Sequence, residues 1–296
     1  MPVAAKSSYF KLRREAEQAA SAFPALLAEA ERVAAIVAAG VHGRRRAGQG
    51  ETFWQYRDFS ASDSALDIDW RRSARSDHYY IRENEWEAAN SVWMWRDGAP
   101  GMDWKSHKSL PTKKERASVL LMALSSLLMR AGERCGVMGM SARPHTGRFG
   151  IERISWKLAV SQGRLADLDT PFAAHSKLLL ASDFLMPIEE IRTRLSALRA
   201  RPADGVLLHI VDPAERKFPY RGRVQLLEPG SKLAQLPFLL GRAEKLRDAY
   251  IEKFTAHEKA LRDIARRLGF SLITHSTDQP PTQALSALYL ALSGQT

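Results

Sequence analysis

Thiols are nearly absent. The 296 residues include one cysteine, Cys135. That excludes a disulfide framework within the chain and any zinc site with more than one thiolate. Long apolar runs are missing too. The longest, Ala117 to Met129, is interrupted by Ser118, Ser125 and Ser126 and is too short for the ~20 residues that cross a bilayer. The opening MPVAAKSSYFKLRREAEQAA has no apolar stretch followed by a small-residue cleavage site, so it does not have the form of a signal peptide. The reading is a cytoplasmic protein with no membrane span; peripheral contact with a membrane stays open. There is no Walker-type phosphate loop and no Gly-x-Ser-x-Gly elbow, and GQGE at 48–51 is too short for a dinucleotide fingerprint. His42, His78, His107, His145, His175, His209, His257 and His275 are scattered, with no pair at metal-ligand spacing. His209, inside VLLHIV, reads as a core residue.

What is present is globular. Hydrophobic residues make up 45% and charged residues 26%, which excludes a wholly disordered chain. Acid is outnumbered: Lys+Arg 44 against Asp+Glu 33 leaves +11. That balance suits an acidic partner without choosing between protein, nucleic acid and membrane surface. Arg44, Arg45 and Arg46 form one basic run; Lys105, Lys108, Lys113, Lys114 and Arg116 form another. Few aromatics accompany them, so a solvated face is preferred to a stacking platform for single strands.

Three regions are expected. Residues 1–40 form a helical extension, kinked at Pro24, that packs an Ala-rich face on the main domain. Residues 41–90 form an Arg- and Trp-rich segment, with strands expected at 53–59 and 68–82. Residues 91–296 alternate strand and helix. Strands are expected at 91–95, 135–140, 176–181, 206–211 and 270–274, and helices at 115–130, 187–200, 242–268 and 281–293. That alternation means a doubly wound, mainly parallel α/β sheet covered on both faces.

In such sheets the ligand crevice lies beyond the carboxyl ends of the strands, at the switch in strand order. Asp97 follows SVWMWR and Asp183 follows SKLLLAS, both at such ends. If their strands are neighbours, the two carboxylates face one crevice, a setting that suits Mg²⁺. Capping of the following turns is the plainer account.

The block from Gly48 to Glu87 carries a resemblance. GQGETFWQYRDF, IDWRRSAR and YYIRENEWE resemble the bacterial domain-of-unknown-function family fifty-eight. The likeness continues through the strand at Val92–Trp95, the helix at Glu115–Arg130, SDF at 182–184 and Val211-Asp212-Pro213. It implies a fold similar to the von Willebrand factor type A domain. That superfamily often holds a divalent cation through Asp-x-Ser-x-Ser, a later Thr and a later Asp. Here Asp97 and Asp183 match the two acids, but Ala99 and Gly101 stand where the serines belong. Thr170 lies in the right part of the chain for the Thr but nothing marks it, and Asp103 and Ser106 are nearby substitutes given little weight. The expectation is therefore no cofactor and no metal, with Asp97 and Asp183 as residual Mg²⁺ candidates. Ser62, Leu66 and Asp67 depart from the family's upstream pattern, so the chain resembles a divergent member.

Within the matching block, Arg57, Asp63, Asp69, Arg75, Arg82, Glu83 and Glu85 can form Arg–carboxylate forks that fix the strands. The same block can serve as a partner surface, with Trp54, Tyr56 and Trp86 as its anchors, Asp69 and Trp70 building the platform and the arginines facing out. The family resemblance implies a partner: a MoxR-type AAA+ ATPase or another von Willebrand factor type A-like protein. The expected function is a non-enzymatic, metal-independent adaptor in the assembly or maturation of other proteins. It would use the carboxyl-end loops 97–112, 141–150 and 183–187 together with the block at 48–87. A nucleic-acid-associated basic protein is the alternative. A metal-dependent phosphohydrolase ranks last, because ligands and a general base are lacking.

Overall fold

The computed structural model describes residues 28–38, 53–58, 73–74, 79–84, 91–165, 168, 172, 176–199, 204–226 and 238–292. The chain divides into two compact units, Gly40–Ala89 and the remainder. In the smaller unit, β1 (Phe53–Asp58) pairs antiparallel with β2 (Tyr80–Asn84), with Tyr56 opposite Arg82 and a register shift between Phe53 and Gln55.

The larger unit is a doubly wound α/β domain. Five parallel strands run in the order β4-β3-β5-β6-β9. They are β3 (Ser91–Arg96), β4 (Arg134–Val137), β5 (Lys177–Ser182), β6 (Asp204–Val211) and β9 (Phe270–Ser276). The chain leaves β3 to one side for β4 and returns on the other side for β5, so the switch point lies between β3 and β5. Two short strands, β7 (Val224–Leu226) and β8 (Phe238–Leu240), form a separate antiparallel pair that sequence patterning did not reveal. The α-helices of this unit are α1 (residues 28–38), α2 (Lys113–Arg130), α3 (Gly147–Val160), α4 (Ile188–Arg199), α5 (Pro213–Lys217), α6 (Arg247–Arg267) and α7 (Pro281–Leu292).

The sheet is apolar on both faces because helices cover both. Alternation along β3 sends Val92 and Met94 into one core and Trp93 and Trp95 into the other. The first core takes its helical residues from α1, α2, α3 and α7, and the second from α4 and α6. Ala30, Val33, Ala34 and Val37 of α1 belong to the first core, so this helix is part of the α/β unit. A Cβ at Gly205 would lie 1.9 Å from the Phe270 ring, and the missing side chain is what lets β6 and β9 pack there.

Several expected boundaries shift. The strand expected at 135–140 stops at Val137, because Gly139 turns the chain with φ 77°. The segment 141–150 is not all loop: α3 begins at Gly147. Its mixed composition hid it, since Arg148, Glu152 and Arg153 interrupt the apolar spacing. The helix expected from 242 begins as a 3₁₀ turn at Ala243–Leu246 before α6. Thr170 lies outside the described residues, as does most of the strand expected at 68–82; of its described part, residues 73–74 are not strand and the end from Tyr80 belongs to β2.

Candidate functional site

Three neighbouring strands end in acids: Asp97 after β3, Asp183 after β5 and Asp212 after β6. The β3–β5 register pairs Arg96 with Ala181, which sets Asp97 beside Ser182 across the switch point. The two strands are thus neighbours, as the crevice argument required.

Each carboxylate is engaged. The Ser182 hydroxyl donates to Asp97 Oδ2 at 2.6 Å, and the Ala99 backbone N–H donates to Oδ1 at 2.8 Å. Burial raises the Asp97 pKa, opposed by these two donors. Asp183 accepts from Lys113 Nζ at 2.7 Å and from the Leu185 N–H at 3.2 Å. Asp212 accepts from the Ala214 N–H at 2.9 Å, capping α5, and from the Ser106 N–H at 2.9 Å, tying down the loop after β3.

Lys113 is the centre of the site. It is 1% exposed, and its ammonium also meets Glu215 Oε1 at 2.5 Å. Burial alone would lower its pKa, but Asp183 and Glu215 outweigh that and leave it raised. Burial pushes Glu215 up against the pull of Lys113. Both partners are placed by helix starts. Thr112 and Glu115 form a capping box, with Glu115 N–H to Thr112 Oγ1 at 3.1 Å and Thr112 N–H to Glu115 Oε2 at 2.7 Å, which puts Lys113 in the first turn of α2. Asp212 and Glu215 form a second box at α5. A cation at a helix N-terminus opposes the macrodipole, so Lys113 is held there by its carboxylates.

The backbone supports the arrangement. Phe184 follows Asp183 at φ 46° and is fully buried. A non-glycine residue in this left-handed region is strained. The Ser182 hydroxyl accepts from its N–H at 2.9 Å, and His257 Nε2 lies 2.6 Å from its carbonyl. On the other side, the Arg96 guanidinium is buried and its pKa falls to about 10 through desolvation. It donates to the Leu158 carbonyl at 3.0 Å, to Ser161 Oγ at 3.1 Å and to the Ser161 carbonyl, closing the carboxyl end of α3. Gly98 lets the loop approach this region: a Cβ there would sit 2.4 Å from the Gln162 backbone.

These residues do not fit a divalent cation. Ala99 and Gly101 offer no side-chain oxygen, and an ammonium already lies on Asp183. Among the described residues no group of three or more His, Cys, Asp or Glu could hold a metal ion. Ser106 contributes a backbone N–H rather than a hydroxyl, and Asp103 pairs with Lys114 at 3.3 Å.

The other candidates divide between the two units. Trp54, Tyr56 and Arg57 lie on β1 and Arg82 on β2. Asp63, Asp69, Trp70, Arg75 and Trp86 lie outside the described residues. Sequence reasoning found Asp97 and Asp183 but missed Lys113, Ser182, Asp212 and Glu215 as site residues. The TKKE and DPAE capping boxes were the visible signals.

A doubly wound α/β domain with a charge-filled crevice is the class that fold and site define. The chain belongs to the family described as "Protein of unknown function DUF58", which matches residues 55–260. Curated relatives include an uncharacterized protein of Mycobacterium tuberculosis and one of Mycobacterium bovis. Each is 24% identical over 249 residues, covering 78% of this chain and 76% of the relative. Among solved structures, a conserved hypothetical protein BatB from Bacteroides thetaiotaomicron aligns over 70% of this chain and 98% of its own, at 13% identity and TM-score 0.36. An aerotolerance-related membrane protein from Bacteroides fragilis aligns at 13% identity and TM-score 0.35, over 70% of this chain and 100% of its own. No helix among the described residues is long and apolar enough to cross a membrane.

Proposed function

We propose that this protein is a non-enzymatic adaptor that docks a partner protein on the carboxyl-end loops of its sheet, independently of metal. One observation carries the reading. Trp104, Met140 and Leu185 are 36%, 37% and 44% exposed, and they sit in the loops after three adjacent strands, β3, β4 and β5. Large apolar side chains gathered at one end of a sheet favour an interface. The crevice beneath supports the non-enzymatic part, since its carboxylates are occupied by Lys113, Ser182 and backbone donors and leave no free base. By family resemblance the partner is a MoxR-type AAA+ ATPase or a von Willebrand factor type A-like protein.

The test is capture of the purified ATPase by immobilised full chain, with EDTA or with Mg²⁺. Equal capture in both, reduced about tenfold by Trp104→Ser with Leu185→Ser, is expected for two interface anchors. Capture that needs Mg²⁺, or that ignores the double substitution, sinks the reading.

A further inference from the structure

A second surface is separate from the crevice. Helix α3 turns Gly150, Ile154, Leu158 and Ala159 inward. Its outer side carries Arg148, Phe149, Glu152, Arg153 and Trp156. Phe149 is 79% exposed and Trp156 is 51% exposed. Seven residues apart, they lie on one side of the helix, about 10 Å apart along its axis. Single exposed apolar residues are ordinary, but two protruding aromatics with Arg153 between them and Arg148 and Lys157 flanking them, against one acid, Glu152, are not. Arg143, Arg148 and Arg153 have no ion pair or hydrogen bond among the described residues. The crowding of positive charge is felt locally: burial and then Arg153 lower the Lys157 pKa, and burial, Lys157, Arg153 and Arg143 lower that of His145.

We infer that the outer face of α3 is a contact site for an anionic lipid surface, with Phe149 and Trp156 entering the headgroup layer and Arg148 and Arg153 meeting lipid phosphates. The shape favours a bilayer over the other acidic partners. Aromatic side chains protruding from a convex helix suit a planar, deformable interface, where amphipathic rings sit at headgroup depth. A single nucleic-acid strand needs a groove that tracks its backbone, whereas the hollow beside Trp156 is one short pocket of about 330 Å³ with the Glu152 carboxylate in its wall. The adjoining cavity of about 490 Å³ has Glu31 and Glu152 beside Arg130 and Arg148, so it does not select an acidic peptide. Unpaired arginines keep their full attraction for a negative surface. This inference does not depend on the adaptor reading.

The experiment is flotation of the full chain with vesicles of phosphatidylcholine alone or mixed with phosphatidylglycerol. Binding is expected only to the phosphatidylglycerol vesicles and should weaken as salt rises. Phe149→Ser with Trp156→Ser should weaken it about tenfold, and Arg148→Gln or Arg153→Gln about fivefold each. All four positions are exposed, and circular dichroism checks that the variants are folded. Absence of wild-type binding overturns the inference, as does equal binding to phosphatidylcholine alone. It is also overturned if the aromatic pair leaves vesicle binding intact while removing capture of a protein or a single-stranded oligonucleotide.

Discussion

The crevice and the outer face of α3 treat charge in opposite ways. At the crevice, the buried Lys113 ammonium lies 2.7 Å from buried Asp183 and 2.5 Å from part-buried Glu215. On α3, Arg148 and Arg153 are exposed and unpaired among the described residues. Buried charge survives only when it is paired, so the crevice cations and anions are committed to holding loops and helix starts in place. Exposed charge costs the fold little and stays available to a partner. Charged residues in a sequence therefore do not by themselves point to binding; burial decides whether they build the platform or face outward.

The largest effect should come from breaking the buried set. Lys113→Met leaves Asp183 and Glu215 without their cation and should cost roughly 3–5 kcal/mol in urea unfolding. Adding Glu215→Gln should return part of that loss. A Lys113→Met protein as stable as the wild type would remove the ammonium from its central role.

A smaller effect follows from two buried histidines. Burial, reinforced by Arg216 and His257 against Glu258, lowers the His209 pKa to about 4, and burial with Arg116 lowers that of His275 to about 4. Between that value and the ordinary 6.5 the folded state holds fewer protons than the unfolded one. Stability should therefore be full above about pH 6.5 and fall as pH drops toward 4, by about 3 kcal/mol for each histidine. Unfolding midpoints measured across that range in wild type and His209→Gln give the comparison. A slope that is unchanged in the variant would show that His209 is not responsible.

The smallest effect is expected on the exposed face. Phe149→Ser with Trp156→Ser should change stability by no more than about 0.5 kcal/mol at each site. A large loss would mean that this face is part of the core rather than a contact surface, and the contrast between the two regions would collapse.

Much of the fold is legible in the residues. Runs such as SVWMW and KLLLA are apolar on both sides of the pleat, which marks strands covered on both faces. Acids immediately after two such runs mark the carboxyl-end crevice. Helix α3 was hidden because arginines and exposed aromatics blur its apolar spacing, and β7 and β8 are three residues each, too short to carry a period. Lys113 looked like one of five basic residues on a solvated segment. Its burial depends on Asp183 and Glu215, which lie 70 and 102 residues away.

Local order along the chain determined the elements: apolar runs made the strands, Thr112 with Glu115 and Asp212 with Glu215 started helices, and alternation of strand with helix made the sheet parallel. It also determined that Ala99 and Gly101 cannot lend a side-chain oxygen to a cation. Strand order was decided only in three dimensions, because pairing energy depends on which strands meet and not on their spacing in the chain. Tertiary structure alone sent Lys113 inward to two carboxylates and left Arg148, Phe149, Arg153 and Trp156 facing out. The physical reason is desolvation: its cost falls on the folded arrangement of charges, and a list of charged residues does not contain it.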